Sequence, residues 1–201
     1  MGTPITAEQV KQLRHKTGAG MMECKAALTD ANGNIEEAIT LLRKRGLAQA
    51  AKRIGRATAQ GIVGSYIHLG GKIGVLVEVD CETDFVARTD DFQGVVKEVA
   101  MHIAAADPKW VRREDVPAEA LEKERAIYRA QMENAGKPAS VLEKIIEGKL
   151  GSFYAQFVLL DQPSIRDASV SVAQLIAQAS AKTGENIQIH RFVRFRVGDT
   201  E

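Results

Sequence analysis

The chain has 201 residues, 45% of them hydrophobic, and its 27 Lys and Arg nearly cancel 26 Asp and Glu to leave a formal net charge of +1. That balance argues against a dedicated nucleic-acid binder or a polybasic membrane anchor, and the hydrophobic content excludes a disordered chain. No apolar run approaches the ~18 residues that span a bilayer, Met1-Gly2-Thr3-Pro4-Ile5 lacks the basic start and apolar block of a secretory signal, and two cysteines, Cys24 and Cys81, cannot form a disulfide framework, so a reducing, cytoplasmic setting is expected.

The first 46 residues read as three short helices. Thr6 and Gln9 form a capping-box pattern, Val10 and Leu13 follow at helical spacing, and Gly18 is a stop signal. A second helix carries Met21, Cys24 and Leu28 on one face and stops near Gly33. A third starts at Asn34, buries Ile35, Ile39 and Leu42, and is expected to end at Gly46. So few large apolar residues make a marginal core, and such a module suits docking. Residues 47–60, with Lys52, Arg53 and Arg56, read as a basic helical linker.

The remainder, 61–201, reads as one α+β core domain. Alternation over 62–69, the Gly70-Gly71 turn signal and alternation over 75–82 predict a β-hairpin. Val75, Val77, Val79 and Cys81 take one face, and Leu76, Glu78, Asp80 and Glu82 the other. Helical stripes follow: Phe92, Val95, Val96, Val99 and Ile103, ended by Asp107-Pro108; Leu121, Tyr128 and Met132, opened by Pro117 and closed by Gly136; and Val141 to Phe157, opened by Pro138. Ser169 is read as the cap of a helix ending at Gly184. Ile187, Ile189, Arg191, Val193, Phe195 and Val197 predict a last strand, which completes a small antiparallel sheet of about three strands.

Several patterns carry possible chemistry. Gly18-Ala19-Gly20 has no following Lys-Ser/Thr and no preceding strand, so it is a turn and not a phosphate loop. His15, His68, His102 and His190 have no metal-ligand spacing and are read as surface or half-buried. Residues 38–77 hold seven bases and no acid, whereas residues 78–161 hold 11 bases and 17 acids. The basic window allows an alternative reading as an RNA- or ribosome-binding protein, but it lacks interleaved aromatics and is better read as a solvated linker. Glu78, Asp80, Glu82 and Asp84 could hold a divalent cation, but no His, Lys or nucleophile accompanies them; a solvent-exposed face suits Glu78, Asp80 and Glu82 better. Thr83-Asp84-Phe85 differs, because the strand's alternation stops there. In a chain with only ten aromatics, Phe85 either plugs its own core or is offered to a partner as a hot-spot anchor; its position leaves both open.

The segment Val79-Asp80-Cys81-Glu82-Thr83-Asp84-Phe85-Val86-Ala87-Arg88 resembles the signature of the elongation factor Ts family. Leu13-Arg14, Thr17 to Met22 and Cys24-Lys25 resemble its N-terminal signature, and Leu159 to Pro163, Gly184 to Ile187 and Arg191-Phe192 resemble its C-terminal part. The resemblance implies a guanine-nucleotide exchange factor, without covalent chemistry, cofactor or metal of its own, that acts on elongation factor Tu in GDP-bound and nucleotide-free forms. It implies a ubiquitin-associated-like docking module at 1–46 in which Arg14, Met21 and Met22 contact the partner. It implies that Thr83, Asp84, Phe85 and Val86 enter near the partner's Mg²⁺ and phosphate site, Phe85 as a wedge and Asp84 supporting it, and that the C-terminal strand and helix grip the partner elsewhere. Lacking the second core subdomain of longer members, the chain resembles the short form, which can form a homodimer; Ser164 stands where the family usually has an aromatic. No membrane and no specific nucleic acid is implied.

Overall fold

In the computed structural model, which describes residues 5–132 and 138–199, Thr6 and Gln9 form the expected capping box. Each side chain accepts the other's backbone N–H, and helix α1 (Ala7–Thr17) runs from there to Gly18, whose φ of 68° favours glycine. Helix α2 is Met21–Asp30. Helix α3 (Ile35–Ala51) starts at Asn34, whose side chain accepts from Glu36 N and Glu37 N. Val10, Leu13, Cys24, Ala27, Leu28, Ala31 and Ala38 form the core of these helices, with Ile35, Ile39 and Leu42 half-buried against it. Met21, expected on that inner face, is instead exposed. Gly46 does not stop α3. A Cβ there would sit 3.1 Å from the Ala181 Cβ, so the glycine gives room to helix α8 (Val172–Thr183) and the helix continues to Ala51.

Two compact units divide the chain: Met1–Gly61 with Asp80–Phe92 and Ile176–Gln188, and Ile62–Val79 with Gln93–Leu175 and Ile189–Glu201. The fold class is α+β, as expected. Among the described residues, eight helices accompany one antiparallel sheet ordered β1 (Gln60–Ile67), β2 (Ile73–Cys81), β3 (Gln188–Arg196). Gly70 and Gly71, both with positive φ, turn β1 into β2. Val75, Val77, Val79 and Cys81 are buried, and helix α5 (Asp90–Ala106) buries Phe92, Val96, Val99 and Ile103. A Cβ on Gly64 would lie 2.3 Å from Val96 Cγ1, so α5 can approach β1 only because position 64 is glycine.

The last strand departs from simple alternation. Ile189 is buried, His190 and Arg191 are both exposed, and the inward phase resumes at Phe192 and Arg194. One residue of slip splits the expected single face, the effect of an extra residue in a strand. It also brings the Arg194 guanidinium to the end of α5, where it donates to Ala104 O at 3.3 Å and lies 3.3 Å from Asp107. Val193, Phe195 and Val197 are left exposed together with Val63, Ile67, Leu69 and Leu76.

Helices α6 (Ala118–Met132) and α7 (Ala139–Phe157) follow Pro117 and Pro138; the expected stop at Gly136 lies outside the described residues. Trp110, Phe153, Tyr154 and Phe157 cluster around the base of α7. Ser169 does not cap α8, because its N–H and hydroxyl both donate to Asp167. Ser171 takes that role in a reciprocal pair with Gln174. His102 is neither surface nor half-buried but fully buried. Its Nε2 lies 2.8 Å from Gln162 Oε1 and its Nδ1 accepts from Ile165 N, while burial pushes its pKa down. No described helix is long and apolar enough to cross a membrane.

Candidate functional site

Where β2 ends, the chain makes a one-turn helix, α4 (Asp84–Ala87), before α5. Thr83 caps α4: its hydroxyl accepts from Val86 N at 3.3 Å. Thr89 performs the next cap, donating to Val86 O at 2.7 Å and accepting from Phe92 N at 3.3 Å. Two threonines six residues apart thus fix a tight corner. Val86, 5% exposed, and Ala87 anchor it from below, and Phe85 stands out at 77% exposed.

This decides the question left open by the sequence: Phe85 does not plug its own core. Of the ten aromatic residues, only Phe85 and Phe195 are exposed; the others are buried or half-buried. Asp84 and Arg88 form an exposed ion pair at 2.7 Å. Val86 points into the protein, so the four-residue segment presents its side chains unequally.

A carboxylate that sequence reasoning passed over holds the corner from the other side. Glu185 Oε2 accepts from Glu82 N and Thr83 N, both at 3.0 Å, and its Oε1 accepts from the Thr83 hydroxyl at 2.6 Å. Glu82 reciprocates: its Oε1 accepts from Asn186 N at 2.6 Å and from Arg56 Nη1 at 3.4 Å. Asn186 Nδ2 donates to Arg56 O. The Asn186 N–H and, after it, the Arg56 guanidinium hold the Glu82 carboxyl below its ordinary range. Burial pushes the Cys81 thiol up, with Glu185 adding to the shift, and its Sγ donates to Thr83 O at 3.1 Å, so it is no nucleophile. Within Gly184-Glu185-Asn186, no feature of spacing announced this role; the separation from Thr83 in sequence hides it.

The acidic strip is therefore no bare solvent-exposed face. Glu78 is paired with Arg191 at 2.6 Å and Glu82 is engaged as above. Among the described residues, no group of three His, Cys, Asp or Glu side chains could hold a metal ion. The basic window is solvated as expected, six of its seven bases being exposed, and three of its arginines also have partners. Arg45 pairs with Asp30, Arg53 donates to Ser180 O at 3.2 Å, and Arg56 binds Glu82. On the three-helix module, Arg14 is exposed on α1, and Met21 and Met22 on α2 are 51% and 75% exposed. Large apolar side chains at the start of a helix and open to solvent suit contact with another protein.

The family described as Elongation factor TS matches residues 4–199. The elongation factor Ts of Fervidobacterium nodosum is 58% identical over 195 residues, 97% of this chain and 99% of that one. That of Koribacter versatilis is 60% identical over 97% of this chain and 89% of its own length. That of Thermosipho melanesiensis is 56% identical over 97% and 100% respectively.

Because Glu82 is more acidic when folded, its ionised form favours folding. That contribution is complete above its unfolded value of about 4.3 and is lost as pH falls through the lower folded value. The thermal midpoint should therefore drop as pH falls below about 5, and Glu82→Gln should flatten that drop. Identical acid slopes for the two chains in a melting series would rule out the role.

Proposed function

Since the chain belongs to the elongation factor Ts family, and is thus a translation elongation factor, we propose that it binds elongation factor Tu and promotes GDP release so that GTP can reload. Residues 1–46 dock on the partner through Arg14, Met21 and Met22. The Thr83–Val86 segment enters near the partner's Mg²⁺ and phosphate site. The setting is the cytoplasm, in keeping with the free buried thiols of Cys24 and Cys81.

The observation that carries this reading is the exposure of Phe85 on a corner fixed from both sides. An exchange factor needs no bond-making step. It must bind the nucleotide-free partner more tightly than the nucleotide-bound one, and linkage then weakens nucleotide binding by the same factor. Each decade needs about 1.4 kcal/mol of differential binding. Burying a Phe side chain contributes about 1.5–3 kcal/mol, and Phe85 has most of its surface still to bury. One or two decades can therefore come from this side chain, provided it is buried only when the nucleotide site has opened. Asp84, held to Arg88 in the free chain, supports the wedge with a polar contact. The alternative, RNA or ribosome binding through residues 38–77, has less support, because Arg45, Arg53 and Arg56 already have partners within the chain.

The exposed apolar side chains of the sheet, Phe195 with Leu76, Val193 and Val197, support a second copy of this chain as a further partner.

With elongation factor Tu carrying fluorescent GDP, the chain should accelerate release. Phe85→Ala should lower the rate at saturation by about ten- to a hundredfold. Met21→Ala and Met22→Ala should raise the concentration needed while sparing the saturating rate. An unaltered rate with Phe85→Ala would sink the wedge. In analytical ultracentrifugation the chain should sediment as a dimer and Phe195→Asp as a monomer; a monomeric parent chain would dismiss the second copy.

A further inference from the structure

The turn Gly184-Glu185-Asn186 lies about a hundred residues from the exchange segment in sequence, yet it supplies that segment's main polar support. We propose that Glu185 is a positioning residue for nucleotide release: its carboxylate sets the direction in which Phe85 leaves the protein. The proposal rests on the exchange reading above.

The chemistry favours a carboxylate at this point. An ionised carboxylate only accepts, with about four lone-pair sites, and here it takes three donors from two consecutive residues. The third bond matters most. The Thr83 hydroxyl has one proton, and Glu185 Oε1 takes it at 2.6 Å; a lone pair on the same oxygen is thereby turned to Val86 N, which caps α4. Phe85 lies between these two residues. Glu185 thus orients the cap, and the cap orients the helix turn that bears Phe85. Glu185 is itself mounted: Ser180 Oγ donates to its carbonyl oxygen, and the following Asn186 gives its N–H to Glu82 Oε1 and its Nδ2–H to Arg56 O. A glutamine in its place keeps one oxygen for the backbone amides but turns an NH₂ donor toward the Thr83 hydroxyl, whose proton then has no acceptor.

A purely structural staple would predict loss of stability and nothing more. A positioning residue predicts that its effect passes through Phe85. Two measurements on the full chain separate these. In the free protein, amide hydrogen exchange should show protection at Glu82 and Thr83 falling about tenfold or more in Glu185→Ala, and less in Glu185→Gln. With fluorescent GDP on elongation factor Tu, Glu185→Ala and Glu185→Gln should slow release by about tenfold at saturation, with the half-saturating concentration little changed. In a Phe85→Ala background the same substitutions should slow it no further. Should Glu185→Ala fail to fold, Glu185→Gln carries both arms, since it disturbs the hydroxyl link and leaves the Thr83 cap of α4 in place. Unchanged amide protection overturns the proposal, as does an equal slowing with and without Phe85. A parent chain that leaves GDP release unaccelerated would refute the exchange reading and with it a role in release, whereas the amide arm would still report whether Glu185 fixes the corner.

Discussion

Two carboxylates, Glu82 and Glu185, each bind the backbone of the segment that carries the other, and the corner bearing Phe85 takes its shape from that exchange. Strand β2 has to stop at Cys81 and helix α5 has to start at Asp90, and between them the chain must turn without losing its backbone hydrogen bonds. Glu185 accepts the two N–H groups that the strand leaves behind. Thr83 and Thr89 take those at the two helix starts. With these donors engaged, Val86 is buried while its neighbour is held in solvent.

The magnitudes identify which contacts set the geometry. The Asp84–Arg88 pair is exposed on both sides, and such pairs are worth about 0–1 kcal/mol. Hydrogen bonds to a charged acceptor are worth about 1.5–3 kcal/mol each, less where they reach solvent, and here three converge on Glu185. The corner is therefore held by Glu185 and by its caps, and Asp84 remains available for another protein. A preset corner also lowers the ordering cost of association, so more of the burial of Phe85 can appear as discrimination between partner states. On the proposed function this is what distinguishes the exchange segment from Met21 and Met22, whose burial would be the same whether or not the partner holds nucleotide.

Much of the fold was legible because it follows from short-range patterns. The Thr6–Gln9 box, the Asn34 cap, the Gly70-Gly71 turn and the period change after Arg88 each involve residues within four positions of one another. What could not be read depends on distant residues. Gly46 looks like a stop, and only the approach of Ala181 shows why the helix passes through it. Ser169 looks like the cap, and only its engagement by Asp167 shows why Ser171 takes that role instead. The slip in β3 becomes sensible once Arg194 is seen at the end of α5. In the candidate site the same division holds. The scarcity of aromatics singled out Phe85, but that its side chain is exposed, that Val86 beside it is buried, and that Glu185 is the support all depend on packing and on pairing across some hundred residues.

The most direct test of the wedge is a comparison of affinities. The dissociation constant of the chain should be measured by calorimetry against elongation factor Tu without nucleotide and against its GDP complex, for the parent chain and for Phe85→Ala. The ratio of the two constants is the coupling that drives release. It should shrink by about ten- to a hundredfold in Phe85→Ala, with affinity for the GDP complex nearly preserved. A ratio that survives the loss of Phe85 would contradict the wedge and place the discrimination elsewhere on the chain.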